Sequence, residues 1–202
     1  RTWGWISSFH PHEIAEVLRP EAAGPESESY EALFSEVVAL DRDVRAEDVG
    51  GAGTVRATAG DVSVRRAQGR IAAETSTGDA DIADGDGSVM VTTSSGDVTV
   101  RARADSLVVE TSAGDQSLSL SGAAKYTAVK SASGTIELML PAGSGGALDV
   151  QTATGAMSIA NAVKIGTMTR NHFTGDLGGG GQTLVRTSSG DIRLTAGGPA
   201  PP

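Results

Sequence analysis

One short phrase recurs through most of the chain: Thr, Ser, a small residue, Gly and Asp, followed by alternating apolar residues. It reads TSTGDADI at residues 75–82, TSSGDVTV at 93–100, TSAGDQSL at 111–118 and TSSGDIRL at 187–194. Successive glycines of the phrase are eighteen residues apart at first and fifteen to twenty-one residues apart later. Internal repeats on this scale predict a stacked repeat architecture.

Apolar residues alternate with polar ones on both sides of each glycine. Around Gly96, Val89 and Val91 come before the glycine, and Val98 and Val100 come after it. A period of two is the pattern of a strand with one buried face. Each repeat is therefore predicted to contain two short strands separated by turns.

Two all-β architectures fit two strands per repeat. In a β-solenoid each repeat is one coil and equivalent strands stack in parallel, whereas in an antiparallel meander each Gly-Asp forms a hairpin turn. Equivalent positions hold similar residues in successive repeats, which is what the stacking of like on like produces. We therefore predict a parallel β-solenoid of about eight coils with 18–21 residues each.

The Gly-Asp pair is predicted to form a corner of each coil. Glycine permits the positive φ that a tight corner needs, and Asp commonly bonds the backbone of its own turn. Hydroxyl residues stand three positions before most of these glycines and are expected to line the inner wall: Thr75, Thr93, Thr111, Ser131, Thr152 and Thr187. The predicted corner residues are Gly60, Asp61, Gly78, Asp79, Gly96, Asp97, Gly114, Asp115, Gly190 and Asp191.

The repeat decays in TRNHFTGDLGGGGQTLV at residues 169–185, although Gly175 keeps its place in the glycine series. Arg170 and His172 stand where apolar or hydroxyl residues are expected. We interpret this segment as an irregular coil, and the alternative is a site where a partner approaches the backbone.

Residues 1–48 lack the repeat. Helical spacing of apolar residues predicts one helix over residues 11–19 and a second that includes Val37 and Val38, and the second would cap the first coil. The sequence is thus divided into a helical or irregular segment (1–48), a solenoid (49–196) and a flexible tail (197–202). Since the sequence begins at Arg1 rather than Met, we expect a removed upstream segment, and a cleaved secretory signal is one form it could take.

Five of the seven aromatic residues lie within the first 34 residues. Trp is favoured at protein and membrane interfaces. Trp3, Trp5, Ile6 and Phe9 are therefore predicted to dock on a protein partner or a membrane surface, with packing against the solenoid as the alternative. No run of eighteen apolar residues is present, so no transmembrane helix is expected.

Composition argues against several kinds of chemistry. The net charge of −9 and the lack of a basic stripe argue against nucleic acid as a partner. The chain has no cysteine, no nucleophile elbow and no phosphate loop. The column of Asp residues makes calcium an alternative, but the Gly-Gly-x-Gly-x-Asp phrase of calcium-binding β-rolls is absent, so we expect no cofactor. A polysaccharide-active solenoid stays the enzyme alternative, although only Tyr126 and Phe173 are aromatic after residue 34.

The phrases TSTGDADI, TSSGDVTV, SASGTIEL and TSSGDIRL resemble the bacterial DUF4097 family, described as adhesin-like proteins with β-strand repeats. The resemblance covers residues 50 to about 195. It implies an exported or membrane-associated solenoid on the periplasmic or extracellular face of a bacterial membrane, without established catalysis. It carries over no active-site residue.

These observations together predict a non-catalytic β-solenoid that binds protein partners. A more particular alternative is an extrinsic accessory subunit of a membrane protein assembly, anchored by the aromatic N-terminal segment.

Overall fold

The described part of the chain is an all-β structure. The computed structural model describes residues 15–16, 37–39, 43–141, 143–144, 146–161 and 164–198, and these ranges contain strands and turns but no helix. The strands join into one sheet, mostly parallel, that winds around a core. The fold is a parallel β-solenoid, which confirms the predicted class.

Each coil has one strand before its Gly-Asp corner and one after it; we call these two sides of the solenoid the upstream side and the downstream side. β5, β6 and β7 run on around the opposite corner, so that their first halves lie on the downstream side and their second halves on the upstream side. In chain order the strands are β1 (Ala15–Glu16), β2 (Val37–Ala39), β3 (Val44–Glu47), β4 (Gly53–Ala59), β5 (Val62–Thr77), β6 (Ala80–Ser95), β7 (Val98–Ala113), β8 (Gln116–Leu120), β9 (Tyr126–Ser133), β10 (Ile136–Pro141), β11 (Ala147–Thr154), β12 (Met157–Ala160), β13 (Lys164–Met168), β14 (His172–Asp176), β15 (Gln182–Ser189) and β16 (Ile192–Gly198).

Five coils stack in chain order over residues 53–141. On the upstream side the parallel order is β4, β5, β6, β7 and β9, and on the downstream side it is β5, β6, β7, β8 and β10. The register follows the sequence repeat, because Val62 pairs with Ala80 and Ala80 pairs with Val98. Equivalent residues of successive repeats therefore lie beside one another.

The core lies between the two sides. It is made of the side chains at every second position of the strands, which point inward. The burial of β6 and β7 alternates along the strand, as a period of two requires. Ile82, Val100 and Leu118 are neighbours in one inward row and are almost completely inaccessible to solvent. On the outer surface, ion pairs such as Glu110 with Lys130 (2.6 Å) join adjacent coils. Exposed pairs of this kind contribute little to stability.

The last coil in the sequence is not the last coil in the stack. β15 lies between β9 and β11 on the upstream side, and β16 lies between β10 and β12 on the downstream side, all in parallel. Ile136, Ile192 and Met157 are consequently neighbours in one row, in that order. The C-terminal coil is thus inserted between two coils that precede it in the chain.

A hairpin replaces the coil expected around Gly175. β14 pairs antiparallel with β11, and β13 pairs antiparallel with β14. Gly175 lies opposite Leu148 within this pairing and forms no coil corner. The prediction of about eight successive coils is therefore corrected: the five coils of residues 53–141 follow chain order, two more stack out of order, and the hairpin ends the stack on the upstream side.

The N-terminal end of the stack also differs from the prediction. Val37 and Val38, expected in a second helix, belong to β2, which pairs in parallel with β4. Ala15 and Glu16, expected in the first helix, form β1, which pairs in parallel with β3. Backbone pairing with the first coils overrides the helical spacing at these positions, and strands of the solenoid begin before residue 49. The other residues of both predicted helices lie outside the described ranges.

Candidate interaction site

The Gly-Asp corners have the geometry that only glycine accommodates well. Gly96 has φ of 138° and Gly190 has φ of 148°. In addition, a Cβ on Gly96 would collide with the carbonyl oxygen of Gly78, and a Cβ on Gly190 would collide with that of Gly134. The corners of neighbouring coils are stacked backbone against backbone, so a side chain at this position would push the coils apart.

The Asp residues of the corners form a ladder between coils. The backbone N–H of Asp97 donates to Asp79 Oδ1 (2.8 Å), and the N–H of Asp115 donates to Asp97 Oδ1 (2.8 Å). The sequence led us to expect that each carboxylate bonds the backbone of its own turn, and this expectation is wrong. Each carboxylate instead accepts a hydrogen bond from a backbone N–H of the next coil. The same bond recurs at four more carboxylates: Asp43 accepts from the N–H of Asp61, Asp61 from Asp79, Asp115 from Thr135 and Asp191 from Ala156.

The ladder gives the Asp column a structural use. One carboxylate oxygen of each residue already accepts a backbone hydrogen bond, which holds the carboxylate along the stack. In the ranges that the structure describes, no group of three or more His, Asp or Glu side chains is arranged to hold a metal ion. The arrangement favours corner stabilisation over calcium binding as the role of these residues.

Buried hydroxyls line the inside of most corners, where the hydroxyl column was expected. Thr75 Oγ1 donates to Gly60 O (3.2 Å), and Thr152 Oγ1 donates to Gly190 O (3.3 Å). Thr93 and Thr187 are equally buried, but their hydroxyls have no hydrogen-bond partner within the described chain. The column therefore stabilises some corners by hydrogen bonds and others by packing alone.

A charged groove of about 940 Å³ runs over the opposite corner. At its start Arg66 Nε is 2.6 Å from Asp48 Oδ1, and Arg66 Nη2 is 2.9 Å from Glu47 Oε2. These hydrogen bonds, the one to Asp48 first, raise the pKa of the Arg66 guanidinium above its ordinary value. Acidic residues (Asp84, Asp86) and arginines (Arg101, Arg103) line the rest of the groove. Because both signs of charge are present in similar number, the groove has no net preference for an anion or a cation.

An apolar hollow of about 300 Å³ lies at the other end of the molecule, where the stack stops. Ile165 is 64% exposed and Met168 is 71% exposed. These are the two most exposed large apolar side chains of the described chain. We call this surface the open end; it is lined by Met157, Ile159, Asn161, Ile165, Met168 and Phe173.

The open end exists because the hairpin covers only one side of the stack. β13 and β14 extend the upstream side beyond β11, but on the downstream side β12 pairs with β16 alone. The outer edge of β12 is therefore an unpaired strand edge within the described chain, next to the apolar hollow. Unpaired edges are templates for the addition of another strand.

A polar cluster fixes the hairpin in place. Asn171 Nδ2 donates to Ala153 O (2.6 Å), and His172 Nε2 is 3.1 Å from Asp149 Oδ1. His172 and Asn171 thus attach the hairpin to β11, and the decay of the repeat at these residues reflects this different pairing. Sequence reasoning identified the decay but missed the open end, although Ile165 and Met168 in the decayed segment were a signal for it.

The other predicted sites are only partly visible. The docking residues Trp3, Trp5, Ile6 and Phe9 lie outside the described ranges. Of the two aromatic residues that are described, Phe173 is buried and Tyr126 is 38% exposed, and the two lie on different strands. No helix in the described part is long and apolar enough to cross a membrane.

A family model described as Toastrack DUF4097 matches residues 87–195, just over half of the chain. The chain belongs to this family. The match begins later than the resemblance in the sequence, at residue 87 rather than 50, and it includes the later regular coils and the inserted C-terminal coil of this Toastrack protein. No curated protein and no solved structure matches the chain. A Toastrack β-solenoid fits a non-enzymatic, structural or interaction role.

Proposed function

We propose that this Toastrack protein is a non-catalytic solenoid that binds a protein partner through its open end. The observation that carries the proposal is the unpaired edge of β12 beside the exposed side chains of Ile165 and Met168. Exposed apolar surface that adjoins an unpaired strand edge is typical of an interaction site.

The rest of the solenoid supports the role of a spacer. Its characteristic Gly, Asp and Thr residues are engaged in holding coils together, and its outer surface is largely polar. We place the protein on the periplasmic or extracellular face of a bacterial membrane, as the family resemblance implies. The concentration of aromatic residues before position 35 supports the more particular role of an extrinsic subunit, anchored to a membrane assembly by Trp3, Trp5, Ile6 and Phe9.

The test is native co-purification in mild detergent with three versions of the protein side by side. Met168→Asp places a charge in the open end, and Met90→Asp changes another exposed methionine, in the middle of the stack. We expect a stoichiometric partner with the wild type and with Met90→Asp, and its loss with Met168→Asp. Equal recovery with all three versions would show that the open end is not the binding site.

A Trp3→Ala/Trp5→Ala variant in the same experiment tests the accessory-subunit role. Loss of membrane association with an unchanged fold supports the anchor, and unchanged association argues against it. A screen for polysaccharide depolymerisation addresses the enzyme alternative; release of oligosaccharides would contradict a non-catalytic role.

A further inference from the structure

The open end needs an occupant that supplies both a strand and large apolar side chains. A strand added beside β12 must offer backbone N–H groups to its edge and, at every second position, an apolar side chain to the hollow. Within the sequence, the segment TWGWISSF at residues 2–9 comes near this pattern, with Trp3, Trp5 and Phe9 in alternating register and Ser7 between them. In an extended conformation Trp3, Trp5 and Phe9 lie on one face of such a strand.

The chain's own N-terminal segment cannot reach its own open end. β1 lies at the opposite end of the downstream side, eight strand steps from β12. At about 4.8 Å per step this separation is about 38 Å. Phe9 is six residues before Ala15, a reach of about 20 Å even when fully extended. Residues 3–9 of the same chain therefore cannot lie along β12 as one strand, because Phe9 falls short of it.

In the sequence, the C-terminal tail follows the strand next to β12, but it has the wrong chemistry. It follows β16, which is the neighbour of β12, but its sequence contains Pro199, Pro201 and Pro202. Proline has no backbone N–H to donate to a strand edge, and this tail offers no large apolar side chain to fill the hollow. The tail is thus a poor occupant.

We infer that residues 3–9 of a second copy of this chain add as a strand to β12 and place Trp3 and Trp5 in the open end. This inference rests on the proposed open-end binding, because it names the partner of the same site, and it replaces the membrane anchor as the role of Trp3 and Trp5. The contact joins two different surfaces of the chain, so it is head-to-tail. Each bound copy presents a further open end, and association proceeds to linear oligomers rather than stopping at a closed dimer.

The experiment uses two defective variants, alone and mixed, and follows mass by sedimentation. Deletion of residues 1–10 removes the strand and keeps the open end; Met168→Asp keeps the strand and disrupts the open end. Far-UV circular dichroism and thermal unfolding check that both variants remain folded. We expect concentration-dependent oligomers for the wild type, and self-association at least about tenfold weaker for each variant alone, as the loss of a central contact produces.

Mixing separates the head-to-tail contact from its alternatives. The two variants together are expected to form a one-to-one complex, because each supplies the surface that the other lacks. A synthetic peptide of residues 1–12 is expected to bind the deletion variant and not a version that also carries Met168→Asp. Self-association of the deletion variant at wild-type strength would overturn the inference in favour of an end-to-end dimer through two β12 edges.

Two further outcomes would also overturn it. If the wild type stays monomeric while the deletion abolishes flotation with anionic lipid vesicles, residues 3–9 contact a membrane instead. If the wild type stays monomeric while Met168→Asp still abolishes co-purification of another protein, the proposed function stands and the self-association does not. If Met168→Asp changes neither co-purification nor self-association, both the proposed function and the self-association are rejected.

Discussion

Residues 53–141 and residues 146–198 use the same corner but are wound differently. In the first region, coils that touch are consecutive in the chain, as in the stacking of Gly78 and Gly96. In the second, the Gly190 corner packs on the carbonyl of Gly134, and the Gly155 corner packs on the carbonyl of Gly190. The packing at the corner is the same in both regions, although the order of the coils is not.

The comparison shows what the repeated phrase encodes. It specifies a lateral contact with any coil that carries the same corner. The backbone of one glycine packs on that of the next, and each Asp carboxylate accepts a hydrogen bond from a backbone N–H of the next coil. It does not specify which coil is the neighbour. The order is set instead by the segment between the repeats, where the β13–β14 hairpin occupies the upstream side beyond β11.

The largest expected effect comes from adding a methyl group at the corner. Gly96→Ala and Gly190→Ala should each reduce the free energy of unfolding by about 2–5 kcal/mol, because they combine positive φ with a clash against backbone. Equal losses in denaturant unfolding would show that the two regions use equivalent corners. Gly180→Ala is the control, since an added Cβ at Gly180 would enter open space and Gly180 has no positive φ, and it should change stability by less than about 0.5 kcal/mol. A harmless Gly190→Ala beside a damaging Gly96→Ala would break the equivalence.

A smaller effect is expected from the Asp ladder. Asp97→Ala removes the acceptor of the Asp115 N–H, and Asp191→Ala removes the acceptor of the Ala156 N–H. Because these bonds are exposed to solvent, each substitution should cost about 1 kcal/mol in thermal or denaturant unfolding. Asp105→Ala serves as the comparison, because its exposed side chain has no hydrogen bond within the described chain, and it should be neutral. Equal effects at Asp97 and Asp105 would argue against the ladder.

The smallest expected effect is an increase, rather than a decrease, in the free energy of unfolding. Thr93→Val and Thr187→Val replace buried hydroxyls that lack a partner in the described structure with a methyl group of similar size. Each substitution should be neutral or raise the free energy of unfolding by up to about 1 kcal/mol. Thr93 lies in the first region and Thr187 in the second, so the pair compares the two regions. Thr75→Val removes the bond to Gly60 O and should instead destabilise by about 1 kcal/mol. Destabilisation by Thr93→Val equal to that by Thr75→Val would reveal a hydrogen bond at Thr93 as well.

The regular region could be predicted from the sequence because the features that specify it lie close together in the chain. The eighteen-residue spacing, the period of two and the Gly-Asp corner each depend on a few adjacent residues, and together they led to a parallel solenoid with Val98 and Val100 facing inward. The confirmed family agrees with the same phrases. The direction of the Asp97 bond was missed, because whether a carboxylate bonds its own turn or the next one depends on the distance between coils.

The insertion of the last coil could not be predicted because the Gly190 phrase is compatible with any neighbour. Nothing in TSSGDIRL distinguishes a place after Gly155 from a place before it. The open end was missed for a related reason: Met157 and Ile159 match the inward pattern of an interior strand, and only the stacking order shows that β12 has no neighbour on one side. The helical spacing at Val37 and Val38 was misleading because short apolar runs fit either periodicity.

The insertion of the C-terminal coil is tested most directly by disulfide formation, in a chain that has no cysteine of its own. Arg186 pairs with Lys130 on one side and with Gln151 on the other. Adjacent strands are about 4.8 Å apart, within the range of a disulfide, and strands two steps apart are not. Double variants to Cys at 130/186 and at 151/186 should oxidise rapidly, and the 130/151 pair should not. Rapid oxidation of the 130/151 pair with none at 130/186 would mean that the coils stack in chain order and that the account of the C-terminal end is wrong.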